Sequence, residues 1–313
     1  MTTILMLSVD EAHLLRHSLP PAVAQGDVTV IDNACTDDTA AVARAHGAAV
    51  LPLAPRRSYA AAINAGIAAT GDDAVLLLNA DCVLEPGFVA AARRRLDEPG
   101  IGSVAPKLLR ASGVEPGRQL GAIDAAGMTV DRRRKNGLVG HGAAPAAYAR
   151  AGEAFGADGA AALYRRATLD ECALGPEVLD EDLALWASDA DLAWRAQLLG
   201  WRCAYEPRAI ARHVRTYSPS TRGALPEAQR RLQFRNRYLM WCKNETAAGL
   251  ARDLPRIAAY ELLALGHVLV RERYLLRGYL DVARALPRAL RRRRAVQRRR
   301  AVSRPPFGLQ PPR

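Results

Sequence analysis

Short apolar runs alternate with alanine-rich stretches over the first eighty residues, and this alternation restricts the possible folds more than any other feature. The apolar runs are residues 4–9, 28–31, 48–53 and 74–79, and the stretches between them are residues 12–19, 39–45 and 59–70. Apolar runs of this length suit strands that are buried on both faces, as in parallel sheets. Repeated strand–helix pairs therefore predict an α/β fold with an open, doubly wound sheet flanked by helices.

One edge of the predicted sheet is the expected place for a ligand. In open α/β sheets, ligands bind beyond the carboxyl ends of the strands. The residues that follow the apolar runs at that edge are 8–10, 32–36 and 79–81. The segment from residue 112 to 159 is glycine-rich and irregular in pattern, so we expect it to form long loops over the same edge.

The first polar cluster at this edge is the segment DNACTDDT, residues 32–39. At a strand end, the carboxylate of Asp32 can accept a hydrogen bond from the imide N–H of a nucleobase, while Asn33 and Thr36 can shape the loop. Asp, Asn and Thr are also the usual residues of turns and helix N-caps. Taken in isolation, the segment favours a capped turn.

The second cluster follows the most apolar run, where three leucines lead into Asn79 and Asp81. A hard divalent ion that keeps phosphate and water among its ligands needs only one or two protein carboxylates. His213 lies beyond a predicted strand at residues 201–205, and its imidazole suits ions of the Mn²⁺ type. A strand-end turn and a structural histidine are the alternative interpretations.

The third cluster opens a predicted helix, residues 189–199, which Gly200 is well placed to end. An aspartate at a helix start that faces a cleft can act as general base toward a hydroxyl group, and Asp189 is the candidate. Alternatively, Ser188 as N-cap and Asp191 three residues later come close to a capping box. The two roles are compatible, because only Asp189 has to point into the cleft.

Charge is concentrated at the C-terminus. The chain carries 44 Lys and Arg against 32 Asp and Glu, but residues 281–313 hold eleven arginines and one aspartate. The first 280 residues therefore have a net charge of only +2, and the last 33 have +10. Such a cationic block attracts anionic surfaces. A solvated basic tail is the alternative.

The stretch from residue 257 to 280 is apolar around most of its circumference, but charged residues interrupt it. No uncharged run reaches the length that spans a bilayer. We expect a helix docked on the membrane interface, followed by the arginine clusters 291–294 and 298–300. Packing of this helix against the catalytic domain or a partner subunit is the alternative.

Five scattered cysteines without a CxxC pair suit a reducing compartment, and the first ten residues lack the basic region of a signal peptide. These features favour a cytoplasmic location, peripheral on the inner face of the cell membrane. The near-neutral body offers little basic surface for a duplex, so no nucleic-acid partner is expected.

Taken in order, these segments resemble the family 2 glycosyltransferases with a GT-A fold, especially bacterial rhamnosyltransferase-like members. The matching segments are DNACTDDT (32–39), SYAAAIN (58–64), LNAD (78–81), GAAALYRR (159–166), DADLAWR (189–195), GWR (200–202), P-x-A (207–209), His213 and RNR (235–237). The resemblance covers nearly the whole chain. It implies an enzyme that inverts the anomeric centre by one direct displacement.

The resemblance also implies roles for particular residues. Asp32 would bind the base of the nucleotide, helped by Asn33. Asp81 would hold Mg²⁺ or Mn²⁺ on the diphosphate, with His213 as a further ligand. Asp189 would be the catalytic base.

A second set of residues would complete the donor site. The resemblance assigns Asn64 to support of the donor loop and Gly159 to the sugar or acceptor pocket. Arg235 and Arg237 would meet phosphate in the donor or in a lipid-linked acceptor. These residues, like the first set, are expectations that follow from the family pattern.

Two positions depart from the family pattern. Asn79 stands where the first Asp of the metal motif is usual, which weakens the expected ligand set. Ser188 replaces the acidic residue that usually precedes the base, which should change the electrostatics of that base. The acidic run at residues 180–182 is a possible compensation.

Other classes of protein fit this sequence less well. A glycoside hydrolase needs two carboxylates around the bond and no nucleotide or metal site. A nucleotidyltransferase usually has a glycine-rich phosphate loop after the first strand, whereas this chain has residues 7–11, LSVDE. A non-enzymatic binding protein leaves the ordered motifs unexplained. A catalytically degraded transferase, acting as a membrane-associated scaffold or binding protein, is the remaining alternative.

The sequence thus predicts a GT-A-like, Rossmann-like open mixed sheet in a catalytic domain over residues 1–240. A helical, arginine-rich extension would follow over residues 241–313, peripheral on an anionic membrane surface. The expected donor is a UDP- or dTDP-linked sugar, with rhamnose as the guess that the resemblance suggests. The expected acceptor is a polysaccharide or a lipid-linked acceptor.

Overall fold

The predicted strand–helix alternation forms one half of a central sheet in the computed structural model, which describes residues 1–215 and 222–313. The strands are β1 (Thr2–Ser8), β2 (Asp27–Asn33), β3 (Ala49–Leu53) and β4 (Ala74–Asn79), joined by the helices α1 (Ala12–Val23), α2 (Thr39–Ala45) and α3 (Tyr59–Ala68). They lie parallel in the order β3-β2-β1-β4. The carboxyl ends of β2 and β4 therefore open on the same edge.

The other half of the sheet is mixed. Its elements are β5 (Cys82–Leu84), α4 (Phe88–Leu96), β6 (Ile101–Ala111), β7 (Gln119–Ala125), β8 (Met128–Val130), β9 (Asn136–Leu138), β10 (Gly152–Ala154), β11 (Ala161–Arg165), α5 (Arg166–Cys172), α6 (Ser188–Leu198) and β12 (Arg202–His213). From β4 the order continues β11-β6-β12-β10, with β11 antiparallel to β4 and β12 parallel to β6. The predicted open mixed sheet flanked by helices is confirmed.

Two expectations about the middle of the chain were wrong. Residues 112–159 are not only loops, since they contain β7 to β10, which pair with β6, with β12 and with each other. These strands have three to seven residues, too short for a local pattern to reveal. The strand expected at residues 201–205 continues to His213, with a register shift between Glu206 and Ile210 around Pro207.

The core lies on both faces of β1 and β4. Ile4 and Met6 face one layer, packed with α1 and α4, and Leu5 and Leu7 face the layer packed with α3. Successive strand residues point to opposite faces, so a run without polar residues can fill both layers. This two-sided burial holds the strand ends in place at the ligand edge.

The C-terminal third forms three helices: α7 (Glu227–Asn244), α8 (Ala247–Val270) and α9 (Leu276–Arg299). The predicted boundary at residue 240 lies inside α7, and α9 packs along that same helix. After α9, the chain returns to the body, where Phe307 is buried against Phe155 and Trp194. The basic C-terminus is thus packed on the domain and does not form the solvated tail that was the alternative interpretation of its charge. Within the described ranges, no helix combines the length and the apolar character that a membrane span requires.

Candidate active site

Asp81 and His213 meet at the carboxyl edge of the sheet. Asp81 follows the end of β4, and His213 is the last residue of β12, which pairs with β5 directly beside Asp81. The His213 Nε2 atom lies 3.3 Å from the Asp81 Oδ1 atom. His213 is buried, whereas the Asp81 side chain is 22% exposed. One face of this pair therefore remains accessible.

Asp124, near the end of β7, holds the other side of the imidazole. Its Oδ2 atom lies 2.9 Å from His213 Nδ1, and its Oδ1 atom accepts a hydrogen bond of 2.8 Å from Arg215 Nε. Burial opposes charge on His213, but the bonds to Asp124 and Asp81 outweigh it and raise the His213 pKa to about 9. Burial likewise opposes charge on Asp124, yet His213 and Arg215 lower its pKa to about 2.

The donor set fits a divalent metal ion. Asp81 supplies a carboxylate oxygen and His213 a ring nitrogen, and both atom types suit Mn²⁺. A histidine ligand typically bonds a carboxylate through its other ring nitrogen, which fixes the ring orientation, and Asp124 does so here. An ion at Nε2 would take the place of the proton on that nitrogen. Asp124 belongs to none of the predicted motifs, so sequence reasoning missed it.

Removal of the Asp124 charge should weaken metal binding. We expect Asp124→Asn to lower Mn²⁺ affinity by about 10–100-fold, the usual effect of losing the carboxylate behind a histidine ligand. Electron paramagnetic resonance of free Mn²⁺ during a titration measures this affinity. Asp97→Asn, at an exposed aspartate that ends α4, is the matched control. Equal Mn²⁺ affinity in the Asp124→Asn variant and the wild type would exclude the orienting role.

Asp189 lies in the first turn of α6 and is held by backbone amides. Its Oδ2 accepts a hydrogen bond of 3.2 Å from Gly159 N, and its Oδ1 accepts one of 2.8 Å from Ala190 N. Burial, and then the charge of Asp158, raise the Asp189 pKa to about 6, although both amides act in the opposite direction. A carboxylate with a pKa near neutrality is suited to taking a proton.

The capping box that was the alternative interpretation of Ser188 and Asp191 is absent from the described residues. The N-cap is Ala187, in the left-handed region at φ 66°, and no side chain caps the helix. Asp191 instead pairs with Arg195 at 2.9 Å and with Lys243 at 2.8 Å. The Asp191 carboxylate is therefore occupied by two buried cations. The pair with Lys243 joins residues far apart in the chain, so the local sequence could not predict it.

Arg215 connects the pair formed by Asp81 and His213 to the residues around Asp189. Besides Asp124, it donates a hydrogen bond of 2.9 Å to Asp158 Oδ2. Asp158 directly precedes Gly159, the amide donor to Asp189. The tertiary structure therefore brings together the predicted residues Asp81, His213, Gly159 and Asp189 through intermediates that were not predicted.

Residues 180–182 do not serve as the acidic neighbour of the base. Asp180 pairs with Lys243 and Arg292, and Glu181 accepts a hydrogen bond from Asn64. The compensation expected for Ser188 instead comes from Asp158, whose charge acts on the pKa of Asp189. The possible role assigned to residues 180–182 was therefore wrong.

The segment after β2 forms a tightly bonded loop. Asp32 Oδ1 accepts a hydrogen bond of 2.8 Å from Cys35 N, and Thr36 N donates one of 2.6 Å to Asp10. The buried Asn33 side chain accepts from Arg57 N at 2.8 Å and donates to Arg57 O at 2.9 Å. Asn33 thus ties the end of β2 to the loop before α3, and the half-buried Asp32 remains at the ligand edge.

The carboxylates of Asp10 and Asp37 and the thiol of Cys35 offer atoms that could bind a metal ion, and these atoms lie within 4.8 Å of one another. Asp37 accepts hydrogen bonds from Ala12 N and from Thr39, so it closes the turn between β2 and α2. The turn that the sequence favoured for residues 32–39 is therefore present, but Asp38, the N-cap residue of α2, makes no side-chain capping hydrogen bond. Binding of a nucleobase by Asp32 stays a prediction.

The remaining predicted donor residues contact other parts of the protein. Asn64 uses its amide to hold the backbone of Val178 and Leu179, with hydrogen bonds between 2.8 and 3.1 Å. Asn64 thus fixes the backbone of a loop that precedes α6, and its predicted support of the donor loop stays a prediction. Asn79 donates from its backbone to Ala160 O at 2.9 Å, beside Gly159.

Both arginines of the RNR segment are engaged within α7 and its neighbours. Arg235 donates to the carbonyl of Asp182, and Arg237 pairs with Glu261 at 2.6 Å. A phosphate-binding role for either arginine stays a prediction. Asn236 between them is buried and holds the carbonyls of residues 183 and 186.

The sequence profile described as "Glycosyltransferase like family 2" matches residues 12–238. This range covers well over half of the chain and includes every predicted site residue. The chain belongs to glycosyltransferase family 2. This match does not distinguish the rhamnosyltransferase-like subtype, which the sequence suggested, from other members of the family.

Curated relatives agree with the family assignment. The chain is 33% identical over 96 residues to uncharacterized glycosyltransferases of Mycobacterium tuberculosis and Mycobacterium bovis. The match covers 31% of this chain and 44% of each relative. The chain therefore matches less than half the length of these relatives.

Solved structures confirm the GT-A fold of this family 2 member. GalNAc-T7 with UDP, GalNAc and Mn²⁺ has a TM-score of 0.59 at 11% identity, over 77% of this chain and 47% of that one. TarS from S. aureus with UDP-GlcNAc has a TM-score of 0.58 at 13% identity, over 92% and 81%. The mannosyltransferase PcManGT from Pyrobaculum calidifontis, with GDP-Man and Mn²⁺, has 0.52 at 15% identity, over 93% and 86%.

Proposed function

We propose that this protein is an inverting, metal-assisted glycosyltransferase that moves a sugar from a nucleoside diphosphate to a hydroxyl group of a glycan. The observation that carries the proposal is the arrangement of Asp81, His213 and Asp189. Asp81 and His213 form a pair suited to a metal ion at the sheet edge. Arg215 bonds to Asp124 behind His213 and to Asp158, whose charge helps raise the pKa of the Asp189 carboxylate.

In the proposed reaction, the Asp189 carboxylate accepts the proton of the acceptor hydroxyl while the hydroxyl oxygen attacks the anomeric carbon. The bond from that carbon to the diphosphate breaks on the opposite face, so one displacement inverts the centre. The amides of Gly159 and Ala190 hold the carboxylate in place. Its raised pKa lets it keep the proton more readily than an ordinary aspartate does.

The donor would bind across the carboxyl ends of β2 and β4. Asp32 would accept a hydrogen bond from the imide N–H of uracil or thymine, and Asp81 and His213 would hold Mg²⁺ or Mn²⁺ at the diphosphate. The bound ion would neutralise the charge that develops on the leaving diphosphate. The proteins GalNAc-T7 and TarS, which share the fold, bind UDP or UDP-GlcNAc, which supports a UDP-type donor.

The acceptor would be a polysaccharide or a lipid-linked glycan, and rhamnose is the sugar that the resemblance favours. Such acceptors are assembled beside a membrane. We therefore place the protein in the cytoplasm, peripheral on the inner face of the cell membrane. The net positive charge, +12 over the chain, supports attraction to anionic lipid.

The donor site can be tested by calorimetry with UDP, dTDP and GDP, each with and without Mn²⁺. We expect Mn²⁺ to strengthen the binding of one nucleotide by at least about tenfold, or ~1.4 kcal/mol, and Asp81→Ala to abolish that gain. Asp97→Ala is the matched control. Absence of binding to all three nucleotides would overturn the donor site and favour a degraded transferase acting as a scaffold.

A further inference from the structure

Helix α8 presents an apolar face to solvent. Its large exposed side chains include Leu262 and Leu263, which are 72% and 75% exposed, and Val270, which is 72% exposed. Leu254, Leu265 and Leu269 are further exposed leucines of the same helix, and Leu276 and Leu280 near the start of α9 are exposed as well. Large exposed apolar side chains clustered on one helix mark a site of interaction.

The opposite face of α8 fixes the orientation of the helix. Asp253 pairs with the buried Arg134 at 2.9 Å, and Glu261 pairs with Arg237 at 2.6 Å. Ile257 and Val268 are buried on the same side. The inward face of α8 thus makes its own ion pairs and apolar contacts with the protein. The exposed leucines lie on the other side of the helix and do not contribute to the internal core.

The charges around the apolar face have one sign. Between residues 253 and 280 the acidic residues are Asp253, Glu261 and Glu272, and each forms an ion pair within the protein. Exposed arginines flank the central apolar residues 262–270 along the chain: Arg256 precedes them, and Arg271, Arg273 and Arg277 follow them. A surface that is apolar in the middle and cationic at its ends complements a sheet of anionic lipid headgroups above hydrocarbon.

We propose that α8 is the membrane-docking element, with its leucines immersed at the acyl boundary of an anionic bilayer and the arginines at lipid phosphates. The proposal follows the sequence-based expectation of a docked helix at residues 257–280, but several arginines of the clusters 291–294 and 298–300 have partners within the protein. Arg292 is buried and pairs with Glu177, while Arg293 and Arg299 hold backbone carbonyls of the body. Much of the tail charge therefore stabilises the fold.

The inference deepens the membrane location within the proposed function, and its test does not use sugar transfer. The full-length protein is sedimented with vesicles of phosphatidylcholine alone or mixed with phosphatidylglycerol. We expect binding to the anionic vesicles, and a loss of at least about tenfold in the double variant Leu262→Glu and Leu263→Glu. Leu120→Glu, at a half-exposed leucine of β7, is the control and should bind like the wild type.

Three results would overturn the proposal: no binding of the wild type to anionic vesicles, equal binding of the double variant, or equal binding to both vesicle types. A wild-type dimer that the double variant dissociates, without vesicle binding, would assign α8 to a second copy of the chain instead. Nucleotide binding with Mn²⁺ is measured on the same samples. Because α8 contributes none of the proposed donor residues, failure of one proposal is distinguishable from failure of the other.

Discussion

Replacement of Asp189 by asparagine should lower the kcat of sugar transfer by about 10²–10⁴-fold, the range that a general base contributes. Asparagine has nearly the same shape, and its single side-chain oxygen can keep one of the two hydrogen bonds that Asp189 accepts from Gly159 N and Ala190 N. It cannot take the proton of the acceptor hydroxyl. Nucleotide affinity should remain nearly unchanged, because the proposed donor contacts belong to Asp32, Asp81 and His213.

The pH dependence of the wild type offers a second measure of the same role. The Asp189 pKa is raised to about 6, and only the ionised form can act as base. Transfer should therefore fall as the pH is lowered through about 6, and approach a tenfold loss per pH unit below it. This acidic limb should be missing from the residual activity of Asp189→Asn.

The neighbouring Ser188 gives a matched control for Asp189. Its buried Oγ has no hydrogen-bond partner among the described residues, so Ser188→Ala should keep kcat close to the wild-type value. Initial rates with a labelled donor, measured across pH for both variants, decide the assignment. Retention of kcat within tenfold in Asp189→Asn would give the base to another group.

Replacement of Phe307 by alanine should destabilise the whole domain by about 3–5 kcal/mol, the usual cost of truncating a buried phenylalanine. The Phe307 ring stacks on Phe155 at a centroid distance of 5.8 Å and meets the edge of Trp194 at 5.0 Å. The guanidinium of the buried Arg134 lies 3.8 Å from the ring centroid. The alanine variant would leave a cavity beneath these groups.

Trp194, which contacts Phe307, belongs to α6, the same helix as Asp189. The loss of packing in Phe307→Ala should therefore also reduce the transfer activity. Thermal unfolding should show a decrease in Tm of roughly 5–15 °C. Leu290→Ala, at an exposed leucine of α9, should change Tm little. An unchanged Tm in Phe307→Ala would mean that the C-terminal segment is dispensable to the catalytic domain, as a free basic tail would be.

The sequence alone determined the kind of fold and the edge that carries the site. Apolar runs of four to six residues, separated by helical stretches, have few solutions other than a buried parallel sheet. Their ends then place Asp32 and Asp81 along one edge. These inferences depend on local periodicity and on a general rule of sheet topology, so they needed no knowledge of distant contacts.

Only the tertiary structure decided how the site is held together. Asp124 and Asp158 lie in a segment whose short strands have no distinct local pattern, yet they orient His213 and raise the pKa of Asp189. The arginines of α9 likewise have the same appearance in sequence whether they face lipid or the half-buried carboxylate of Glu177. Electrostatic pairing depends on distances of a few ångströms between residues far apart in the chain, and such distances exist only once the chain has folded.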